Sequence, residues 1–199
     1  MLHDPLLYRH IVLALWCVWG VWWLASAART KLTRRRESLG SRLAHVLPLT
    51  LGGALLAWHV PWAPLAQRLW SQSLPAYGAG VMLLAAGLAF AIWARVHLGR
   101  NWSGTVTVKE EHELIRSGPY AYVRHPIYTG VLAAALGTAI ASGTVCAAGG
   151  VAVIAAALMR KIRIEERFLG ETFPAEYPRY RAEVPALIPY TRARRSAPR

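Results

Sequence analysis

Residues 125–159 read HPIYTGVLAAALGTAIASGTVCAAGGVAVIAAALM, thirty-five positions without Asp, Glu, Lys or Arg. As one straight α-helix this run would be about 52 Å long at 1.5 Å per residue, far beyond a hydrocarbon core of ~30 Å. It must fold back. Ser142-Gly143 near its midpoint reads as the turn, giving two short helices over 127–141 and 144–159. Such a hairpin returns Arg160 to the side on which Arg124 lies. It therefore sets two polar clusters next to each other: Ser117 to Gly130, and Arg160-Lys161-Ile162-Arg163-Ile164-Glu165-Glu166-Arg167.

Working outward, the composition is that of a membrane protein, with 55% hydrophobic residues, nine Trp and only 17% charged residues. Three more apolar runs precede the hairpin, at 11–28, 43–62 and 74–94. Together the five runs predict an all-α polytopic integral membrane protein of about five transmembrane helices. Ala25-Ser26-Ala27 resembles a signal-peptidase site, but Arg29, Lys31, Arg34, Arg35 and Arg36 follow it directly, so the first run reads as a retained span. His45 and His59 in the second run read as bundle-facing or helix-end residues, and Gly78-Ala79-Gly80 as small residues at a helix contact. The segments 29–42, 95–124 and 160–199 hold six, five and ten of the 23 Lys and Arg, leaving only Arg9 and Arg68 for the other side. The positive-inside rule then puts the N-terminus outside and the C-terminus in the cytoplasm. With 20 Arg against 3 Lys the chain has a bacterial flavour, which makes the inner membrane its expected location. The organisation expected is an N-terminal three-helix part over 1–94 and a catalytic part over 95–199.

Several function classes fall away. A net charge of +13 could suit nucleic acid, but most Trp lie inside apolar runs rather than on a basic soluble face. Cys17 and Cys146 sit in separate apolar segments and suggest neither a disulfide framework nor a metal site. No nucleophilic triad and no P-loop are present, and no obligatory protein partner is evident. What remains is the pair of polar clusters. Pro126 suits the first position of a helix, where free amides and Arg124 favour an anion, lipid phosphate included. Glu165 and Glu166 near the end of a membrane helix are opposed by its dipole, so Arg163 and Arg167 or a cationic ligand must compensate. Lys161 lies four residues before Glu165 on the same face, and the two offer opposite charges to a zwitterion. Residues 105–108 are β-prone, and His112 in the same loop is by default exposed.

The run Glu113-Leu114-Ile115-Arg116-Ser117-Gly118-Pro119-Tyr120, then Arg124-His125-Pro126-Ile127-Tyr128-Thr129-Gly130, then Glu165-Glu166 and Phe173-Pro174-Ala175-Glu176-Tyr177-Pro178-Arg179-Tyr180, resembles the isoprenylcysteine carboxyl methyltransferase family. That family forms a wider group with the phospholipid N-methyltransferases. The resemblance covers 99–189 and implies a cytoplasmic cofactor pocket for S-adenosyl-L-methionine, closed by the segment 171–190. It implies that His112, Leu114 and Ile115 border the cofactor from the loop, and that Tyr120, His125, Pro126, Ile127 and Tyr128 line it at the start of the hairpin. Glu165 would bind it from the last helix, and Arg124 would neutralise a carboxylate of acceptor or cofactor. Lys161 stands where the eukaryotic enzymes carry a substrate-linked Arg, keeping the charge but not the bidentate fork. The expected reaction is methyl esterification of an isoprenylcysteine-like carboxylate on a lipophilic, prenylated acceptor reaching the site through membrane lipid. Methyl transfer from a sulfonium needs alignment and a dry site more than protein chemistry, which fits the missing triad. Phospholipid or amine N-methylation, an NADPH-dependent sterol-reductase-like activity and a non-enzymatic membrane role are the alternatives. His125 is left open as base or structural residue.

Overall fold

A computed structural model describes residues 5–27, 33–36, 38–57, 63–99, 107–109 and 114–189. Helix α1 spans Pro5–Ala27, α2 Leu39–Ala57, the one-turn α3 Ala63–Ala66, α4 Leu74–Leu98, α5 Pro126–Ser142, α6 Val145–Thr172 and α7 Glu176–Glu183. Two short strands, β1 (Thr33–Arg36) and β2 (Thr107–Lys109), pair antiparallel. The β-prone stretch expected at 105–108 is thus a strand from Thr107, paired with the loop after α1. By length and composition α1, α2, α4 and α6 can each cross a membrane, and α5 is a fifth, shorter apolar helix of 17 residues.

The hairpin forms where the sequence asks for it. Gly143 caps α5 at φ 67, a left-handed conformation natural to glycine, and the Thr144 hydroxyl accepts from the Ala147 amide to start α6. Helix α6 does not stop at residue 159. It runs on to Thr172 and carries Lys161, Glu165 and Glu166, the helical residues the sequence expected, on one rod that continues past them. No Gly or Pro interrupts residues 160–169, so nothing in the chain ends the helix at the first charge.

Small residues decide which helices touch. Gly80 and Gly87 of α4 face Gly137 and Gly130 of α5 so closely that a Cβ on Gly137 would lie 2.5 Å from the Gly80 carbonyl oxygen. A Cβ on Gly130 would lie 2.5 Å from that of Gly87. Gly80 therefore does serve a helix contact. Gly52 and Gly150 bring α2 against α6 in the same way. Helix α1 lies outside this pair of contacts, resting Val12, Leu15, Trp16 and Trp19 on Leu84, Leu88 and Ala134. Trp16 Nε1 donates to Thr138 Oγ1 at 3.0 Å. His45 is buried within the bundle, and His59 lies outside the described residues.

Candidate functional site

The two polar clusters meet. Pro126 begins α5 directly after Arg124 and His125, so both side chains leave the chain at the mouth of the hairpin, beside the last turns of α6. Arg124 Nε and Nη2 donate to Glu166 Oε1 at 3.0 and 2.6 Å. Arg124 Nη1 donates to the carbonyls of Val184 and, at 3.1 Å, Arg181. His125 Nε2 lies 3.3 Å from Glu166 Oε1, and His125 Nδ1 lies 3.5 Å from Glu165 Oε2. The Tyr128 hydroxyl donates to Glu165 Oε1. Lys161 places its ammonium 5.4 Å from the centre of the Tyr128 ring, and the His125 imidazole lies parallel to that ring within 7° at 5.6 Å.

With a carboxylate at each ring nitrogen, His125 can donate from both only as imidazolium. Burial opposes that charge, yet the hydrogen bonds to Glu165 and Glu166, and their negative charges, outweigh it and hold the His125 pKa above its ordinary value. The two carboxylates are not equivalent. Glu166 is held by Arg124, His125 and, at 3.6 Å, Arg181, and its side chain is 11% exposed. Glu165 is twice as accessible, at 22%.

An apolar wall adjoins this corner. Tyr120, Ile127 and Ala94 form a buried cluster against which Ile115, Leu98, Trp23 and Tyr128 pack. The Tyr120 ring lies against His97, which also contacts Ser117 Oγ at 2.9 Å. Gly118, at φ 58, lies so close to the His97 ring that a Cβ there would approach it to 2.7 Å. Leu114 is half-buried at the start of this segment, and Pro126 is fully buried. His112 lies outside the described residues.

The C-terminal segment forms the remaining wall. The amides of Arg124 and His125 donate to the carbonyls of Pro185 and Ala186 at 2.8 and 3.0 Å. Thr129 Oγ1 donates to the Leu187 carbonyl at 2.7 Å, and Tyr180 Oη to that of Tyr120 at 2.7 Å. Burial raises the Tyr180 hydroxyl to about 12, against the opposing pull of Arg124 and Arg116, so it stays a proton donor.

The structure therefore draws Arg124, His125, Tyr128, Lys161 and Glu165 into one corner and sets Ile115, Tyr120 and Ile127 beside it. Arg124 is not turned toward open space: its guanidinium is occupied by Glu166 and two carbonyls of the C-terminal segment. Sequence reasoning gave that charge to an acceptor or cofactor and overlooked Glu166 as its partner. The available signal was the adjacency of two carboxylates to two cations, Arg124 and His125, across the hairpin. Arg181 and the carbonyls of residues 184–187 carried no signal, because a backbone acceptor has no residue type.

Comparison with known proteins places this corner in context. Residues 80–171 match the Isoprenylcysteine carboxyl methyltransferase (ICMT) family. The resemblance read from the sequence is thus borne out, and the ICMT match spans α5 and nearly all of α6. The chain is 37% identical over 104 residues to Protein-S-isoprenylcysteine O-methyltransferase of Schizosaccharomyces pombe, covering 48% of this chain and 42% of the relative. It is 35% identical over 111 residues to Cobalt-zinc-cadmium resistance protein CzcN of Cupriavidus metallidurans, covering 54% of this chain and 50% of the relative. The chain spans about half the length of the curated relatives it matches. The eukaryotic intramembrane Ras methyltransferase ICMT shares its fold, with a TM-score of 0.50 and 25% identity over 79% of this chain and 55% of that structure. A polytopic helical membrane architecture follows from these likenesses, and the similarity to the ICMT family lies in residues 80–171.

Proposed function

We propose that the chain is a membrane methyltransferase that esterifies a carboxylate on a lipophilic, isoprenylcysteine-like acceptor, with S-adenosyl-L-methionine as the donor. The observation that carries the reading is Glu165, an accessible carboxylate fixed by Tyr128 and His125 in the segment that matches ICMT. The residues present fit the donor. Glu165 offers an anionic contact suited to a donor that bears an ammonium and a sulfonium. When bound, that donor supplies an electrophilic methyl group and its own leaving group.

The protein's part is placement. Glu165 holds the amino or sulfonium end, and Tyr120, Ile127 and Ile115 exclude water beside it. Lys161 meets the acceptor carboxylate, which is ionised near neutrality and needs no general base. His125, whose pKa its two carboxylates raise, acts in this reading as a charged hydrogen-bond donor and not as a base. Arg124 acts through Glu166 and the C-terminal segment, holding the wall against α6. The distribution of basic residues supports a cytoplasmic corner and an external N-terminus, with 1–94 as scaffold and 95–199 as the methyl-transferring part.

Calorimetry with S-adenosylhomocysteine on detergent-purified protein tests this. Glu165→Gln removes a charged hydrogen-bond partner and is expected to weaken binding about 10- to 100-fold, while leaving the thermal midpoint within a few degrees. Wild-type protein with an intact fold that binds no S-adenosylhomocysteine, or is stabilised only by NADPH, overturns the reading.

A further inference from the structure

The far end of the bundle holds a second feature, independent of the methyl-transfer reading and resting only on the membrane one. A cavity of 360 Å³ opens where α1, α2, α4 and the α5–α6 turn converge. Cys146 on its wall is nineteen residues from Glu165 along α6, about 28 Å at 1.5 Å per residue. The cavity is of ligand size, and its lining is mixed. Val12, Leu55, Leu56 and Leu65 bring apolar groups to it. Arg9, Arg68, Gln72 and Ser142 bring polar groups to the lining.

Arg9 and Arg68 are the two basic residues that the charge pattern leaves on the external face, and both line this one cavity. Arg68 is held there by backbone pairing. Residue 68 bridges Thr144, the Leu69 amide donates to the Gly143 carbonyl at 2.8 Å, and the Val145 amide donates to the Gln67 carbonyl at 3.0 Å. Among the described residues every Asp and Glu lies at the opposite end, on α6, α7 or the chain between them. Tyr77, stacked on Tyr8 at 4.4 Å, also lines the cavity, and its hydroxyl is buried without a hydrogen-bond partner among the described residues. Two guanidiniums beside an apolar recess, at the level where helices leave the membrane, match an anionic head attached to an acyl chain. Guanidinium groups suit phosphate oxygens in particular.

We infer that this cavity is a site for an anionic phospholipid of the outer leaflet, with its phosphodiester between Arg9 and Arg68 and part of an acyl chain along Val12, Leu55 and Leu56. The occupant is a phosphate oxyanion carrying an apolar chain, and a free phosphate is the other source of the same head.

The test uses the full chain, delipidated in neutral detergent. Native mass spectrometry and thermal unfolding are recorded with phosphatidylglycerol, with phosphatidylcholine and with inorganic phosphate. Wild-type protein is expected to retain one more phosphatidylglycerol than Arg9→Gln/Arg68→Gln, and to be stabilised by it where the double variant is not. Both arginines are exposed, so the variant should fold as wild type, and Arg68→Lys should restore part of the effect. Equal retention by wild type and double variant would assign the lipid to the basic face at the other end and overturn the site. Stabilisation by inorganic phosphate alone would overturn the lipid and leave a soluble anion in its place. Phosphatidylcholine matching phosphatidylglycerol would show that the arginines do not select the head.

Discussion

Helices α1 and α5 are equally free of charge over their apolar stretches, yet they occupy opposite positions. None of α1's membrane window is buried, whereas nine of the seventeen residues of α5 are. The difference is size. Helix α5 offers Gly130, Ala134, Ala135, Gly137, Ala139 and Ala141, which let α4 approach to backbone contact and let Ile154 and Leu158 of α6 pack on Ala135. Helix α1 offers Trp16, Trp19, Trp22 and Trp23, which pack against one another and keep its backbone away. In a bilayer, lipid tails are as apolar as Leu, so apolarity alone cannot say which helix is inside. Residue volume can.

The largest effect expected from this contrast is at Gly137. A Cβ there meets the Gly80 carbonyl and the Leu84 amide, each at 2.5 Å, both unyielding backbone. Gly137→Val should cost about 3 kcal/mol or more, measured by denaturant or thermal unfolding in micelles. The matching change Gly20→Val in α1, where nothing lies within 4 Å, should stay within about 0.5 kcal/mol. Equal losses at the two glycines would break the comparison.

A smaller effect tests the first residues of the α5 hairpin. The pKa of His125 is raised in the folded protein, so its contribution to stability is fully present below about pH 6.5, the ordinary histidine value, and is lost as pH rises through the raised value. The gap in thermal midpoint between wild type and His125→Asn should therefore narrow from pH 6 to pH 9, values that are about the practical range around that titration. Helix α1 has no comparable buried pair among its described residues, and Trp16→Phe should show a pH-independent loss. That loss is about 0.6 to 1 kcal/mol for the bond to Thr138. A gap at His125 that widens with pH would mean that the ring is neutral between its carboxylates.

Much of this was legible in the chain. The excess length of residues 125–159 required the hairpin, and Ser142-Gly143 supplied its turn, so the meeting of Arg124 with the Glu165 region followed from geometry. Pro126 at the first turn of α5 was equally readable. The pairing inside the corner was not. Arg124 had Glu165, Glu166 and any incoming anion as equal candidates, and only the rotation of α6 about its axis makes Glu166 the partner. Nor was the extension of α6 from Glu166 to Thr172 visible, because a charge ends an apolar run without marking where the helix ends. The cavity at the far end of the bundle left its one trace as Arg9 and Arg68, the two basic residues that stand apart from the charge pattern.

The hydrogen bonds from Arg124, His125 and Thr129 to residues 184–187 also set an order of assembly. Every helix of the bundle is synthesised before those carbonyls exist. A nascent chain arrested after α6 would already have Glu165 and Glu166 in place, with Arg124 Nη1 and the backbone amides of Arg124 and His125 still waiting for acceptors. The corner closes only when the last of this segment clears the ribosome, so insertion and competence are separate events in the life of the chain.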